Sequence, residues 1–376
     1  MKALGLTKFG KPTNLEILTL PDPVIESPED IIVSVKAISV NPADYVRMSG
    51  ITRFVEPITP PFTIAADFSG VIFEVGESVT KFKKGDKVYG FCIHVHGTAS
   101  QLLHLTPKTG HFISHIPSSP TGTLSIEEAA AIPVACCTAI SALWQADRLI
   151  ALKESSGSRD SGGLVGKTVF VTAGLGGIGS STLQILKSCF EVKKVITTVS
   201  TSKIPLVDEL LGEGKVDLIV DYTKGQNDVV EKIGKETVDF LFDTVGQGMG
   251  VIEVMKKGGL ILNTKGKSST TLRAEVVNPP FWICWLVDLH LAVQRWRAGR
   301  YGVEYDHTHT QFGDRFGDAF RGWVEEGKLR PIVGRLVEFE KGKEEEGLQE
   351  VKAVLEMAGK GKGAVGKMVV RLDGFD

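Results

Sequence analysis

The sequence predicts an α/β protein in which a doubly wound parallel sheet interrupts a smaller β-rich domain. Three features predict it. From Lys167 to Asn263 short apolar strands alternate with helical segments, the mark of a parallel sheet. Ahead of residue 125 the chain instead carries β-branched runs punctuated by Gly, Pro and Asp, as in compact barrel-like units. At the start of the alternating region, a glycine-rich turn joins a strand to a helix.

In chain order, Ile31 to Val40 and Gly70 to Val75 read as strands, and Phe82 to Gly90 as a turn entering a short strand. Ser125-Ile126-Glu127-Glu128 has the form of a helix-capping box, with serine and glutamate each satisfying an N–H of the other's residue. A second helix is expected over roughly Cys137 to Leu152. Glu154 to Gly163 is small and polar, a surface loop by composition. Strands follow at Thr168–Thr172, Val195–Val199, Leu218–Val220, Val238–Phe242 and Gly259–Asn263, with a helix over Ser180–Phe190. The tail reads as a helix over Phe312–Glu326, a strand at Ile332–Phe339, a helix over Glu344–Ala358 and a strand at Lys367–Leu372. The expected boundaries are residues 1–136 and 310–376 for the β-rich domain and 137–309 for the parallel one.

Bulk properties narrow the partners. At 376 residues the chain suits two domains of common size. A formal net charge of −2 gives no basis for broad attraction to nucleic acid or anionic lipid. The start, MKALGLTKFGKP, lacks the apolar run of a secretory signal, so a cytoplasmic location is expected. The five cysteines (Cys92, Cys136, Cys137, Cys189 and Cys284) show neither a disulfide framework nor zinc-ligand spacing. Phe281 to Val293 (FWICWLVDLHLAV) is interrupted by Asp288 and His290 and is shorter than the roughly 20 residues of a membrane span. A partly buried helix or a pocket wall is expected there. An in-plane membrane contact through Trp282, Trp285 and the basic Arg295, Arg297 and Arg300 is the alternative.

Gly174-Leu175-Gly176-Gly177-Ile178-Gly179 carries the first chemical signal. It fits G-x-G-x-x-G directly after a strand and at the opening of a helix. There the first glycine permits the turn, the second lets backbone approach a pyrophosphate, and the third lets helix and strand pack closely. Free N–H groups and the positive end of the helix dipole then face the phosphates. At the end of the second strand stand Ser200-Thr201-Ser202-Lys203, with no acid. A carboxylate there would bind ribose hydroxyls and repel a 2′-phosphate, whereas hydroxyls and an ammonium can hold one. Ser200, Lys203 and Tyr222 are therefore the expected phosphate contacts, and NADPH the expected cofactor.

Further along the chain the motifs resemble the medium-chain dehydrogenase/reductase superfamily, specifically its zinc-independent quinone oxidoreductase branch. The resemblance rests on Asn41-Pro42-Ala43-Asp44, Asp67-Phe68-Ser69-Gly70-Val71 and Gly85-Asp86-Lys87-Val88-Tyr89-Gly90. It extends to Glu128–Pro133 followed by Thr138-Ala139, and to Asp239, Asp243 and Gly246. It implies a GroES-like catalytic domain around a Rossmann domain. It also implies that Asn41, Asp44, Val245, Asn263 and Gly366 join the glycines in binding the cofactor. The loop Glu154–Gly163, Gln311-Phe312-Gly313-Asp314 and the ending Gly366–Leu372 are similar to those of fungal trans-acting enoyl reductases. A polyketide synthase or its carrier protein is then an implied partner.

Where zinc-dependent relatives place their ligands the resemblance sets Asn41 and Ala65-Ala66-Asp67 in this chain, with Cys136 and Cys137 offset from a third ligand position. Such a site suits hydride addition to a double bond whose own carbonyl spreads the developing charge. Tyr45, Arg47 and Thr138 are the catalytic candidates, with Tyr45 a possible wall of the cofactor site and Thr138 a nicotinamide contact. Two other readings fit the same residues: a zinc-free alcohol or carbonyl dehydrogenase, and a non-catalytic NADPH sensor. His94 and His96, like His307 and His309, read as ordinary loop histidines with metal binding as the alternative. Phe281 to His309 is expected to be an aromatic insert, rim or lid for a small, apolar, unsaturated substrate. Either a monomer or a homodimer fits.

Overall fold

The computed structural model describes residues 1–55, 58–92, 97–106, 111–119, 122–154, 162–276, 278–308, 310–311, 313–340, 342–361 and 365–374. His94, His96 and His309, and most of the polar loop expected after Glu154, lie outside the described residues. The chain divides into two compact units, Met1–Ala135 with Phe312–Asp376, and Cys136–Gln311.

The first unit is organised by the strand Ile31–Val40, which pairs antiparallel with Asp67–Val75, Leu102–Leu105 and Lys367–Arg371. Asp67–Val75 passes to Lys87–Cys92 and that strand to His111–His115, while Val333–Glu338 runs parallel to Lys367–Arg371. Residues from both ends of the chain thus share one sheet. Ile31–Val40 is apolar along most of its length because nearly every position is buried. Gly70 marks a close approach: a Cβ there would stand 2.2 Å from the carbonyl oxygen of Ser34, next to a shift in strand register. The helix Glu344–Lys360 covers this core with Leu348, Val351, Val354 and Leu355, at the spacing of one helical face.

The second unit holds six parallel strands in the order Leu218–Asp221, Lys194–Val199, Thr168–Val171, Val238–Asp243, Met255–Asn263 and Glu304–His307. In sequence order this is 3-2-1-4-5-6, the doubly wound arrangement that the alternation predicts. Phe170, Ile196, Val220, Leu241 and Ile261 fill its core.

Two expectations need revision. The segment near 279–309 is not an insert. Phe281–Gly299 is the crossover helix, and Glu304–His307 pairs with Leu260–Asn263 as the sixth strand. That strand reads EYDH, with too few β-branched residues to announce itself. The glycine-turn helix begins at Gly177 rather than Ser180, because Gly176 caps it in an extended conformation.

The capping box forms as expected: Ser125 Oγ accepts from the N–H of Glu128, and the N–H of Ser125 donates to Glu128 Oε2. Ser125→Ala should lower unfolding stability by about 1 kcal/mol. Equilibrium chemical denaturation checks this, and an unchanged midpoint would remove the box from the stability of the unit.

Candidate functional site

In the second unit the glycine turn follows Thr168–Val171 and opens the helix Gly177–Phe190. Each glycine meets a different constraint. A Cβ on Gly174 would stand 2.1 Å from Thr197 Oγ1, and one on Gly179 would stand 2.3 Å from the carbonyl oxygen of Ala173. At Gly176 the nearest atom is 3.2 Å away, so little of the protein occupies that side. The first and third glycines therefore serve packing, and the second leaves backbone open. The first helical turn leaves the N–H groups of Gly177, Ile178 and Gly179 without helical acceptors. All three residues form the first turn of a long helix, where the dipole favours an anion.

Parallel pairing sets Val199 beside Asp221, which brings the ends of the second and third strands together. Ser200 and Lys203 flank Thr201, and Thr201 Oγ1 donates to Asp221 Oδ2. Tyr222, 42% exposed, heads the short turn that follows Asp221. This acid was not anticipated, since it arrives from another strand. Its Oδ1 accepts from the N–H and hydroxyl of Thr223. The Thr201 and Thr223 hydrogen bonds hold the carboxyl down at about 2, so it is ionised but occupied by the loop it caps. Burial lowers the pKa of the Lys203 ammonium, a cost that an anion beside it would offset.

At the end of the fourth strand, Asp243 is fully buried. Its Oδ1 accepts from the N–H groups of Gly246 and Gln247, and its Oδ2 from Gly248 and from Asn263 Nδ2 at 2.9 Å. The N–H of Val245 lies 3.3 Å from Oδ1 in the same loop. Asn263 also accepts from the N–H of Lys265, so its amide holds loops rather than standing open for a ligand. Thr138 belongs to the helix Pro133–Glu154, is 6% exposed, and receives a hydrogen bond from Thr310. Cys136 is buried against Ser181, 3.3 Å from its hydroxyl. His307 lies inside the sixth strand, fully buried and stacked on His290. Among the described residues, no group of three or more His, Cys, Asp or Glu side chains could hold a metal ion.

In the first unit a second polar cluster forms. Asp67, fully buried, accepts from Ser39 Oγ, Asn41 Nδ2 and the N–H of Val134. The Lys367 ammonium, 7% exposed, donates to Asn41 Oδ1 and, at 3.1 Å, to Asp67 Oδ2. Sequence reasoning placed Asp67 in a motif and Lys367 in a tail, without joining them. A lysine so far away in sequence gives no local signal. Gly366 has a positive φ of 58°, and a Cβ would stand 2.2 Å from the carbonyl oxygen of Ile332. Backbone packing accounts for that glycine. The ring of Tyr45 lies against Gly359 of the C-terminal helix, where a Cβ would be 2.5 Å from Tyr45 Cδ2. Arg47 is 7% exposed and close enough to Asp44 to act on its charge.

Burial pushes the Asp44 carboxyl up to about 7, against the opposing hydrogen bond from the N–H of Asn41 and the charges of Arg47 and Lys367. Between its ordinary 3.8 and about 7 the native state holds a proton that the unfolded chain releases. The contribution of Asp44 to stability therefore falls as pH rises through that window. Asp44→Asn keeps an acceptor for the N–H of Asn41 and removes the titration. Relative to wild type, this variant should gain stability as pH rises from about 4 to about 7. Parallel profiles in thermal unfolding would refute the assignment.

Comparison with known proteins agrees with this architecture. Residues 27–141 match the alcohol dehydrogenase GroES-like domain family. The chain is 31% identical over 275 residues to a 2-methylene-furan-3-one reductase from Solanum lycopersicum, covering 71% of this chain and 62% of the relative. It thus spans less than two thirds of that relative's length. A quinone oxidoreductase from Lama guanicoe is 26% identical over 355 residues, with 91% of each chain covered. Among solved structures, the quinone oxidoreductase from Coxiella burnetii superposes with a TM-score of 0.74 at 24% identity, over 99% of both chains. The chain belongs to the medium-chain dehydrogenase/reductase superfamily, on its quinone oxidoreductase branch.

Proposed function

We propose that the chain is an NADPH-dependent reductase that delivers hydride to a carbon–carbon double bond conjugated to a carbonyl, as in an enone, an enoyl thioester or a quinone. The observation that carries the reading is the open backbone at Gly176 ahead of the Gly177–Phe190 helix, with Ser200, Lys203 and Tyr222 grouped at the neighbouring strand ends. The N–H groups of Gly177, Ile178 and Gly179 would receive the pyrophosphate. Ser200, Lys203 and Tyr222 would receive the 2′-phosphate. Asp221 is the carboxylate nearby, and it is taken up by Thr201 and Thr223, which weakens its claim on ribose hydroxyls. When bound, the nicotinamide supplies the hydride.

The names of the relatives support the substrate class. A 2-methylene-furan-3-one carries a double bond next to a ketone, and a quinone is a conjugated diketone. In such substrates the carbonyl oxygen takes up negative charge, which a fixed cation stabilises. Arg47, nearly buried, is the candidate for that oxygen in the first unit. A narrower form of the proposal makes the substrate an extended polyketide or terpenoid chain presented by a synthase's carrier protein. A carrier-bound enoyl thioester should then turn over faster than the same chain free in solution.

The test is loss of reduced-nicotinamide absorbance with a panel of enones, quinones and simple ketones. Turnover of enones or quinones, with NADPH preferred to NADH, is expected. Efficient turnover of secondary alcohols without any enone activity would favour a dehydrogenase, and tight cofactor binding with no turnover would favour a sensor.

A pair of glycine variants separates cofactor binding from packing. Gly176→Ala should fold normally and weaken NADPH binding by roughly tenfold, because its methyl group would stand where the pyrophosphate approaches the backbone. Gly179→Ala, which forces a Cβ onto the Ala173 carbonyl, should instead cost about 1–3 kcal/mol of stability. Calorimetry and chemical denaturation read the two effects. Equal behaviour of the two variants would contradict the division of roles.

A further inference from the structure

The crossover helix Phe281–Gly299 buries only a narrow stripe, Cys284, Leu291 and Ala298, which recur on one side of the helix. Another side carries Trp282, Trp285, Leu286, Leu289, Val293 and Trp296, each between 44% and 64% exposed. This inverts the usual arrangement, in which the outward face of a covering helix is polar. So large a contiguous apolar patch marks a contact surface.

Charge identifies the partner. At the C-terminal end of the face, Arg297, Arg300 and Tyr301 share an open hollow with Met249 and Ile252. The Arg300 guanidinium stands over the Trp296 ring, 5.4 Å from its centroid, and Arg297 donates to Gln294. Among the described residues neither arginine has a carboxylate partner, whereas Arg295 is paired with Asp306. The nearby acids are already held: Asp288 accepts from the N–H of Ser269, and Glu304 pairs with Lys153. If this face met itself in a second copy, the acids nearest the arginines would already be engaged in contacts of their own. The partner must supply both an apolar surface and anionic groups.

We propose that this face docks in the plane of an anionic phospholipid bilayer. The indoles and aliphatic side chains settle at the boundary between headgroups and acyl chains, where tryptophan partitions well, and the arginine hollow takes a lipid phosphate. The helix lies on the membrane rather than across it, since among the described residues no helix is long and apolar enough to span one. A formal net charge of −2 over the whole chain does not oppose a local cationic edge, because screening confines the attraction to about 8–10 Å. The proposal does not depend on the reductase reading.

The test uses the full chain with vesicles of phosphatidylcholine alone or mixed with phosphatidylglycerol. Co-sedimentation is read together with quenching of tryptophan fluorescence by lipids brominated near the headgroup. Because Trp282, Trp285 and Trp296 are three of the five tryptophans, strong quenching is expected with the anionic vesicles. Partition into them should exceed that into neutral vesicles by about tenfold or more, and Arg297→Gln and Arg300→Gln should each reduce it about fivefold. Trp285→Ser combined with Trp296→Ser should abolish most of the quenching. Leu289→Gln, which keeps every tryptophan, should weaken partition with an unchanged circular dichroism spectrum. Wild-type protein that stays in the supernatant with both vesicle types overturns the proposal, as does partition that the arginine variants leave unchanged. A lipid-free dimer that these same variants dissociate, with no quenching by brominated lipid, would also overturn it and assign the face to a second copy.

Discussion

The burial of Asp243 is the constraint on which the second unit depends. A carboxylate with no exposure is costly unless every lone pair is used, and here three consecutive loop N–H groups and the Asn263 amide use them. Those bonds fix the chain where it leaves the fourth strand and tie that point to the end of the fifth. Thr172, at the end of the first strand, is drawn in through Thr244, whose N–H donates to its hydroxyl. The carboxyl ends of three adjacent strands are thereby held together. This is the edge from which a doubly wound sheet binds ligands, because there the strands feed into helix N-termini.

The first unit uses the same physics with one addition. Asp67 is equally buried, but its partners include an ammonium, so the cluster of Ser39, Asn41, Asp67 and Lys367 holds a buried ion pair with no net charge. A buried pair of this kind contributes little net stability, since desolvation offsets much of the attraction. What it does is specify geometry. Asn41 can point its amide only where Oδ1 meets the lysine and Nδ2 the aspartate, and Lys367 can do so only if the final strand keeps its register with Ile31–Val40. The burial that pushes Asp44 up acts on the residue that closes the helix cap beside this cluster.

Much was legible in the sequence. The alternation from Lys167 onward, the glycine turn and the Ser125–Glu128 box are local patterns, and each forms where its spacing puts it. The sixth strand was not legible, because EYDH is a short edge segment whose identity depends on having Leu260–Asn263 beside it. Nor was the true role of the aromatic segment. A stretch rich in Trp, Leu and Val reads as a pocket wall or a core helix, and composition does not say which side of a helix meets the sheet. In the folded chain the narrow stripe of Cys284, Leu291 and Ala298 is buried, and the indoles remain outside.

The sequence by itself determined the doubly wound fold, the glycine turn that opens a helix after the first of its strands, and the absence of an acid on the second. These follow from patterns that span a few residues, where chain connectivity already fixes the neighbours. Tertiary structure alone decided that Asp221 stands beside Thr201, that Lys367 meets Asn41 and Asp67, and that Tyr45 packs on Gly359. The physical reason is common to all three. Strand pairing and helix packing bring together residues far apart in the chain, and the cost of leaving a buried charge or amide unsatisfied selects which of those encounters survive.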